Sequence, residues 1–196
     1  IARFLRRETA RIDKLVAKKE RLIELLQEKR AAVIDHAVTR GLDTTIATKP
    51  TRFKWLSDVP LHWTVRAFRY SARIPNGQVD PEATVFRDLP LIAPNHIESG
   101  TGRLASFETA AEQAAESGKY FFEAGSVLYS KIRPALAKVC IAPERGLCSA
   151  DMYPLSPRPD LRAKYLMYFM LSRTFTAAVV LMSDRVAMPK INRRDL

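Results

Sequence analysis

The sequence predicts an α/β chain of the α+β kind, a long coiled-coil-type helix followed by a mixed globular domain. Three observations predict it. The first 40 residues contain neither proline nor glycine. Apolar residues recur there at helical spacing. From position 50 onward, where all 12 prolines lie, the pattern changes to short β-like runs separated by turn residues.

The helix occupies residues 1–42. Leu, Ala, Glu, Lys, Arg and Gln dominate it, and all are good helix formers. Leu5, Ile12, Leu15, Leu22, Leu26 and Val33 mark its packing stripe, widened by Val16, Ile23 and Ala37. Charged residues fill the rest, but few sit at the offset that pairs unlike charges along a helix. Gly41 is placed to cap the C-terminus. A rod of roughly 60 Å cannot bury such a stripe alone and calls for a partner helix. That helix would come from a second copy of the chain, as a homodimer, or from a further part of the same protein. The chain opens without Met inside this helical pattern, as a piece of a longer protein would.

Residues 43–50 read as a polar linker and 51–196 as the globular domain. In the domain, Trp63–Tyr70, Val85–Ile92, Ser126–Ile132 and Ala137–Ala142 read as strands. Pro75-Asn76-Gly77 and Glu98-Ser99-Gly100-Thr101-Gly102 read as turns. Ala110–Ser117 and Leu161–Leu181 read as helices. The apolar stretch Tyr165–Met182 carries Arg173, which a membrane span would hold only at a cost of several kcal/mol. It is expected to pack on a core, with no membrane partner.

The formal net charge of +11 and a pI near 10.0 favour a polyanionic partner. Cys140 and Cys148 fit no zinc spacing and read as buried thiols of a cytoplasmic protein. Searches for catalytic patterns are negative. Gly118-Lys119 lacks the upstream glycine of a phosphate loop. Gly100-Thr101-Gly102 opens no helix that would suit a dinucleotide or S-adenosylmethionine site. Asp160 has no Asp/Glu-x-Lys companion for a metal-dependent nuclease. His36, His62 and His96 are scattered. The expectation is a binding protein with no catalytic centre, cofactor or metal.

Several segments then acquire a common meaning. Glu8-Thr9 with Ile12-Asp13, Leu22-Ile23-Glu24-Leu25-Leu26-Gln27-Glu28-Lys29-Arg30, and Ala37-Val38-Thr39-Arg40-Gly41-Leu42 follow in order. Val59-Pro60-Leu61-His62-Trp63 comes next, and then Asn95-His96-Ile97 with its glycine turn. Phe122 to Pro134 contains Gly125 and Ser130-Lys131-Ile132-Arg133-Pro134, with Ser126 where the family pattern has Asp. Cys148-Ser149 and Met188-Pro189-Lys190-Ile191-Asn192 complete the set. This closely resembles one conserved helical region and one target recognition domain of the specificity subunits of type I restriction-modification enzymes.

The resemblance implies a non-catalytic subunit that reads one half of a split site in double-stranded DNA. Its helix would set the gap between halves. The methyltransferase (modification) subunits and the restriction subunit would be its partners. The helix's charged face, with Arg7, Arg11, Lys18, Arg21 and Arg30, would be exposed to the modification subunits. Lys and Arg neutralise phosphates and read guanine, and Asn reads adenine. On that basis Arg103, Lys131, Arg133, Lys138, Arg185, Lys190, Asn192 and Arg193 are the candidate DNA-binding residues. The competing reading is a basic coiled-coil adaptor without sequence-specific DNA binding, which explains the helix but not the patterned domain behind it.

Overall fold

The computed structural model describes residues 1–183 and 189–196. Helix α1, Ala2–Arg40, is a single element of 39 residues. It ends at Gly41, whose φ of 83° is left-handed and whose N–H donates to the Ala37 carbonyl at 3.2 Å. A residue with a Cβ would be strained in that conformation.

Strands β1, Thr48–Pro50, and β2, Asp58–Pro60, form a small antiparallel pair beside the helix end. The expected linker therefore closes in a strand. Two four-stranded sheets carry the rest of the domain. The first contains β3 (Ala72–Arg73), β7 (Val127–Ser130), β8 (Val139–Ile141) and β10 (Met152–Pro157), in the order β3-β10-β7-β8 and antiparallel throughout. The second contains β4 (Pro90–Ile92), β5 (Glu108–Thr109), β6 (Tyr120–Phe122) and β9 (Gly146–Cys148), in the order β5-β4-β9-β6. Its β4–β9 pair is parallel. Helices α2, Ala163–Leu171, and α3, Arg173–Met182, cover the outer face of the first sheet.

Strand β7 shows why the sequence folds into these layers. All four of its residues are buried. Val127 and Tyr129 pack with Leu155, Leu166, Met170, Phe175 and Val179 on the helix side. Leu128 packs with Ile92, Cys140, Cys148 and Met152 between the two sheets. A strand covered on both faces is apolar throughout rather than alternating, because each face meets another layer. A smaller cluster of Leu91, Ala110 and Leu147 seals the far face of the second sheet.

Four sequence expectations are corrected. Trp63–Tyr70 is not a strand, since only Phe68–Tyr70 is regular and forms a 3-10 turn. Val85–Ile92 is strand only from Pro90, because turns occupy the preceding residues. Ala110–Ser117 starts like a helix, with the Glu112 carboxylate accepting from the Thr109 N–H at 2.8 Å. It stops after one turn, because Ala114 adopts φ 45° and the Ala115 N–H turns back to the Ala110 carbonyl. Leu161–Leu181 is two helices bent by 67°. The Ser172 hydroxyl accepts from the Phe175 N–H at 3.1 Å and starts α3 as an N-cap. Among the described residues no single helix is long and apolar enough to cross a membrane.

Candidate nucleic-acid interface

Strand β7 runs into Lys131, Ile132 and Arg133, and these pair with the returning segment Pro189–Asn192. The Arg133 N–H donates to the Pro189 carbonyl at 2.8 Å, and the Ile191 N–H donates to the Lys131 carbonyl at 2.9 Å. Ile132 and Lys190 face each other across an isolated antiparallel bridge. Ile191 is fully buried, so it nails the segment to the core. The Tyr153 hydroxyl donates to the Ile191 carbonyl at 3.2 Å, which adds a second fastening from β10. Burial raises the Tyr153 pKa, so the hydroxyl stays protonated as a donor.

This framework gathers four of the predicted cations and amides. Lys131 is half-buried with its ammonium 5.6 Å from the Tyr153 ring centroid, a cation–π placement. Arg133 is exposed and its backbone is left-handed at φ 47°. Such a conformation is uncommon for a residue with a side chain. The Pro189 bond on one side and the turn opened by buried Pro134 on the other hold it there. Lys190 is exposed and Asn192 half-buried. Backbone bonds hold Lys131, Arg133 and Asn192 in place, and the bridge to Ile132 holds Lys190.

The other candidates are placed differently. Arg103 is exposed on the glycine turn, where its N–H donates to the Thr101 hydroxyl at 3.1 Å and its carbonyl accepts from the Glu98 N–H. Lys138 spends its ammonium on the Pro94 carbonyl at 2.7 Å and joins the two sheets' loops. Arg193 grips Asn76 Oδ1 and the Ile74 carbonyl, holding the Pro75-Asn76-Gly77 turn against the C-terminal segment. Arg185 lies outside the described residues.

Sequence reasoning missed how the helix meets the domain. Arg30, expected on the outward charged face, instead donates to the carbonyls of Gly100 at 2.8 Å and Thr101 at 2.7 Å. Asp35 accepts from the Thr174 N–H at 2.8 Å and from its hydroxyl at 3.1 Å, capping α3 from a different element. The Tyr165 hydroxyl donates to the Val38 carbonyl at 2.9 Å. Nothing in the local pattern around residues 30–38 distinguishes these side chains from solvated ones, because their partners lie about 70 to 140 residues away.

On the N-terminal side of Arg30 the rod is bare. Leu5, Ile12, Leu15, Leu22 and Leu26 are each about half exposed or more, and Val33, though it lies in the docked end, is 58% exposed as well. The carboxylate once weighed for a nuclease, Asp160, is engaged by Arg66 at 2.5 and 3.0 Å, and that pairing holds its pKa below the usual value. His96 Nδ1 accepts the Ala93 N–H at 3.1 Å. Cys140 and Cys148 are free and buried in the layer between the sheets. No group of three or more metal-ligating side chains occurs among the described residues.

Comparison with known proteins decides the relationship. The sequence is 34% identical over 202 residues to the EcoDI specificity subunit, a type I restriction enzyme component from Escherichia coli. The match covers 95% of this chain and runs through both rod and domain. The chain is similar to part of that type I specificity subunit. It spans 45% of that relative, less than half its length. Two solved structures are similar in fold. The HsdS subunit of Thermoanaerobacter tengcongensis superimposes with a TM-score of 0.50 at 15% identity, over 93% of this chain and 44% of that one. A chain from a study of complex assembly and conformational transition in the type I R-M system gives 0.50 at 17% identity, over 97% and 45%. At such identities the likeness concerns the fold, a long helix joined to a mixed α+β domain. No family model matches the sequence.

Proposed function

We propose that this chain recognises DNA sequence as one arm of a type I restriction-modification assembly and carries no chemistry of its own. The observation that carries the reading is the match to a specificity subunit over 95% of the chain, which takes in rod and domain together. The paired segment supports it. Lys131, Arg133, Lys190 and Asn192 stand together on a frame anchored by Ile191 and Tyr153. Two tasks fall to such a group. Cations neutralise phosphates and fix the register on the duplex, while a forked guanidinium or an amide discriminates base edges. Arg103 on the glycine turn is a second contact point. Lys138 and Arg193 act from behind, holding the loops that present the others.

In this reading the domain is residues 51–196 and the rod residues 1–42. The bare apolar stripe receives a partner helix, from a further part of the protein or from a second copy. Two copies would read a two-fold symmetric split site. Methyltransferase and restriction subunits, bound to the assembly in the cytoplasm, supply the catalysis. The competing role is a basic adaptor that holds DNA without reading it. Selection from a randomised duplex library, with the modification subunit present, separates the two. The expected result is a short enriched motif whose binding weakens steeply with salt. Arg133→Ala and Lys190→Ala should each reduce the salt slope by about 1 if they touch phosphate. If Arg133 reads a base, Arg133→Ala should instead cost about 1–3 kcal/mol and relax the motif at one position. Salt-sensitive binding with no motif would leave the adaptor.

A further inference from the structure

The structure assigns Arg30 as the positioning residue that locks the angle between rod and recognition domain, and through that angle sets which gap between half-sites is accepted. The inference rests on the proposed function for its second half only. Its geometry is independent. One guanidinium bridges two successive carbonyls, Gly100 at 2.8 Å and Thr101 at 2.7 Å. These oxygens stand at a turn where Gly100 and Gly102 have φ of 69° and 80°. The turn is itself rigidly seated. A Cβ on Gly102 would lie 3.2 Å from both the Leu171 and Met167 side chains of α2, and the Gly100 N–H donates to the Ala137 carbonyl. Ala137 closes the short turn that Arg133 opens. Arg30 thus fastens the rod to the loop system that carries the candidate contacts.

Among the described residues the other hydrogen bonds from α1 to the domain, at Asp35 and Val38, lie within the next two to three turns, where Val38 and Thr39 are also buried. Without Arg30 they would hold only the last few turns of the helix, and the rest would swing as a lever. From Arg30 to the N-terminus the lever is about 43 Å long, so a tilt of about 10° moves its tip by about 7 Å, the rise of about two base pairs. A two-pronged bond at the base of the lever is therefore worth a base-pair-level choice of spacing at its tip. Lysine would not reproduce it, because an ammonium is a point donor and not a planar fork.

Two measurements on the full-length protein test this. Spin labels at Ala10→Cys and Glu144→Cys report the rod-to-domain distance, and buried Cys140 and Cys148 stay unlabelled in the folded chain. Arg30→Ala should make the distance distribution about twice as wide, Arg30→Lys should give an intermediate width, and Arg21→Ala, whose partner is Glu24 on the same helix, should leave it unchanged. In complex with the modification subunit, duplexes with the selected half-sites at gaps one pair longer or shorter should be disfavoured by about tenfold for wild type and by about threefold or less for Arg30→Ala. Half-site base preference should stay as in wild type. An unchanged width in Arg30→Ala would overturn the lock. A broadened width with an unchanged gap preference would overturn its part in specificity. If wild type selects no motif, the proposed function fails and the gap role with it, while the label widths still decide the lock.

Discussion

Helix α1 and its cap contain two regions of the same conformation and opposite circumstance. Over residues 2–29 its apolar side chains lie bare, with Leu15 57% exposed. Over residues 30–41 it is bonded to three separate elements, and Val38 is 6% exposed. Helical propensity does not explain the contrast, since the bare region is the richer in strong helix formers. The difference is that the second region has found partners across the domain, so its side chains contribute to the stability of this chain. The first region contributes only when another helix covers it. The stability of this chain thereby draws on one end of the rod and not on the other.

The largest test of that contrast compares two leucines. Leu155 is fully buried under α2 and α3. Leu155→Ala should lower unfolding stability by about 2–5 kcal/mol, as denaturant titration would measure. Leu15→Ala should change it by under about 0.5 kcal/mol in dilute protein, while weakening association through the rod. Equal losses for both would mean that the bare stripe is already covered in solution, and a melting temperature that rises with concentration would show by what.

A smaller effect probes the docked end. Asp35→Ala removes two bonds to the start of α3, and about 1–2 kcal/mol should be lost. Asp35→Asn keeps an acceptor oxygen and should lose less. If Asp35→Ala is neutral, the rod is held by Arg30 and Tyr165 alone.

The smallest effect is a reactivity. Burial pushes the Cys140 thiol up from 9.0 to about 12 and raises Cys148 as well. At neutral pH both stay protonated, and the Cys140 thiolate fraction falls by about a thousandfold against a free thiol. Alkylation should therefore be slow in the folded chain and fast in denaturant. Because the folded pKa is raised, burial of the protonated thiol supports the fold below the unfolded pKa, and that support is lost as pH rises towards the folded value. Rapid labelling of the folded protein at neutral pH would show that the layer between the sheets opens.

Much was legible from local signals. The helix followed from the lack of proline and glycine before Gly41, and the strand cores at Val127–Ser130 and Val139–Ile141 followed from their β-rich composition. Where local and tertiary demands diverged, the sequence misled. Ala110–Ser117 has helical composition, but Gln113 is drawn to the carbonyls of Leu91 and Glu108, and Ala114 turns left-handed. The apparent 21-residue helix breaks at Ser172, whose hydroxyl caps the second half and competes with a continuous helix for the backbone. Of the candidate DNA contacts, residue type identified the cations but not their occupation. Lys138 and Arg193 look no different in sequence from Lys131 and Arg133.

The sequence by itself determined the rod, the apolar layers, the basic balance and the relationship to specificity subunits, because each is written in composition, period or motif and needs no distant partner. The tertiary structure alone decided which of the described charged side chains are spent on distant carbonyls, and where the rod is fastened. Those choices depend on carbonyls and amides brought in from far along the chain, at Gly100, Thr101, Thr174 and Pro94. No local pattern encodes a bond whose two ends meet only when the sheets have stacked.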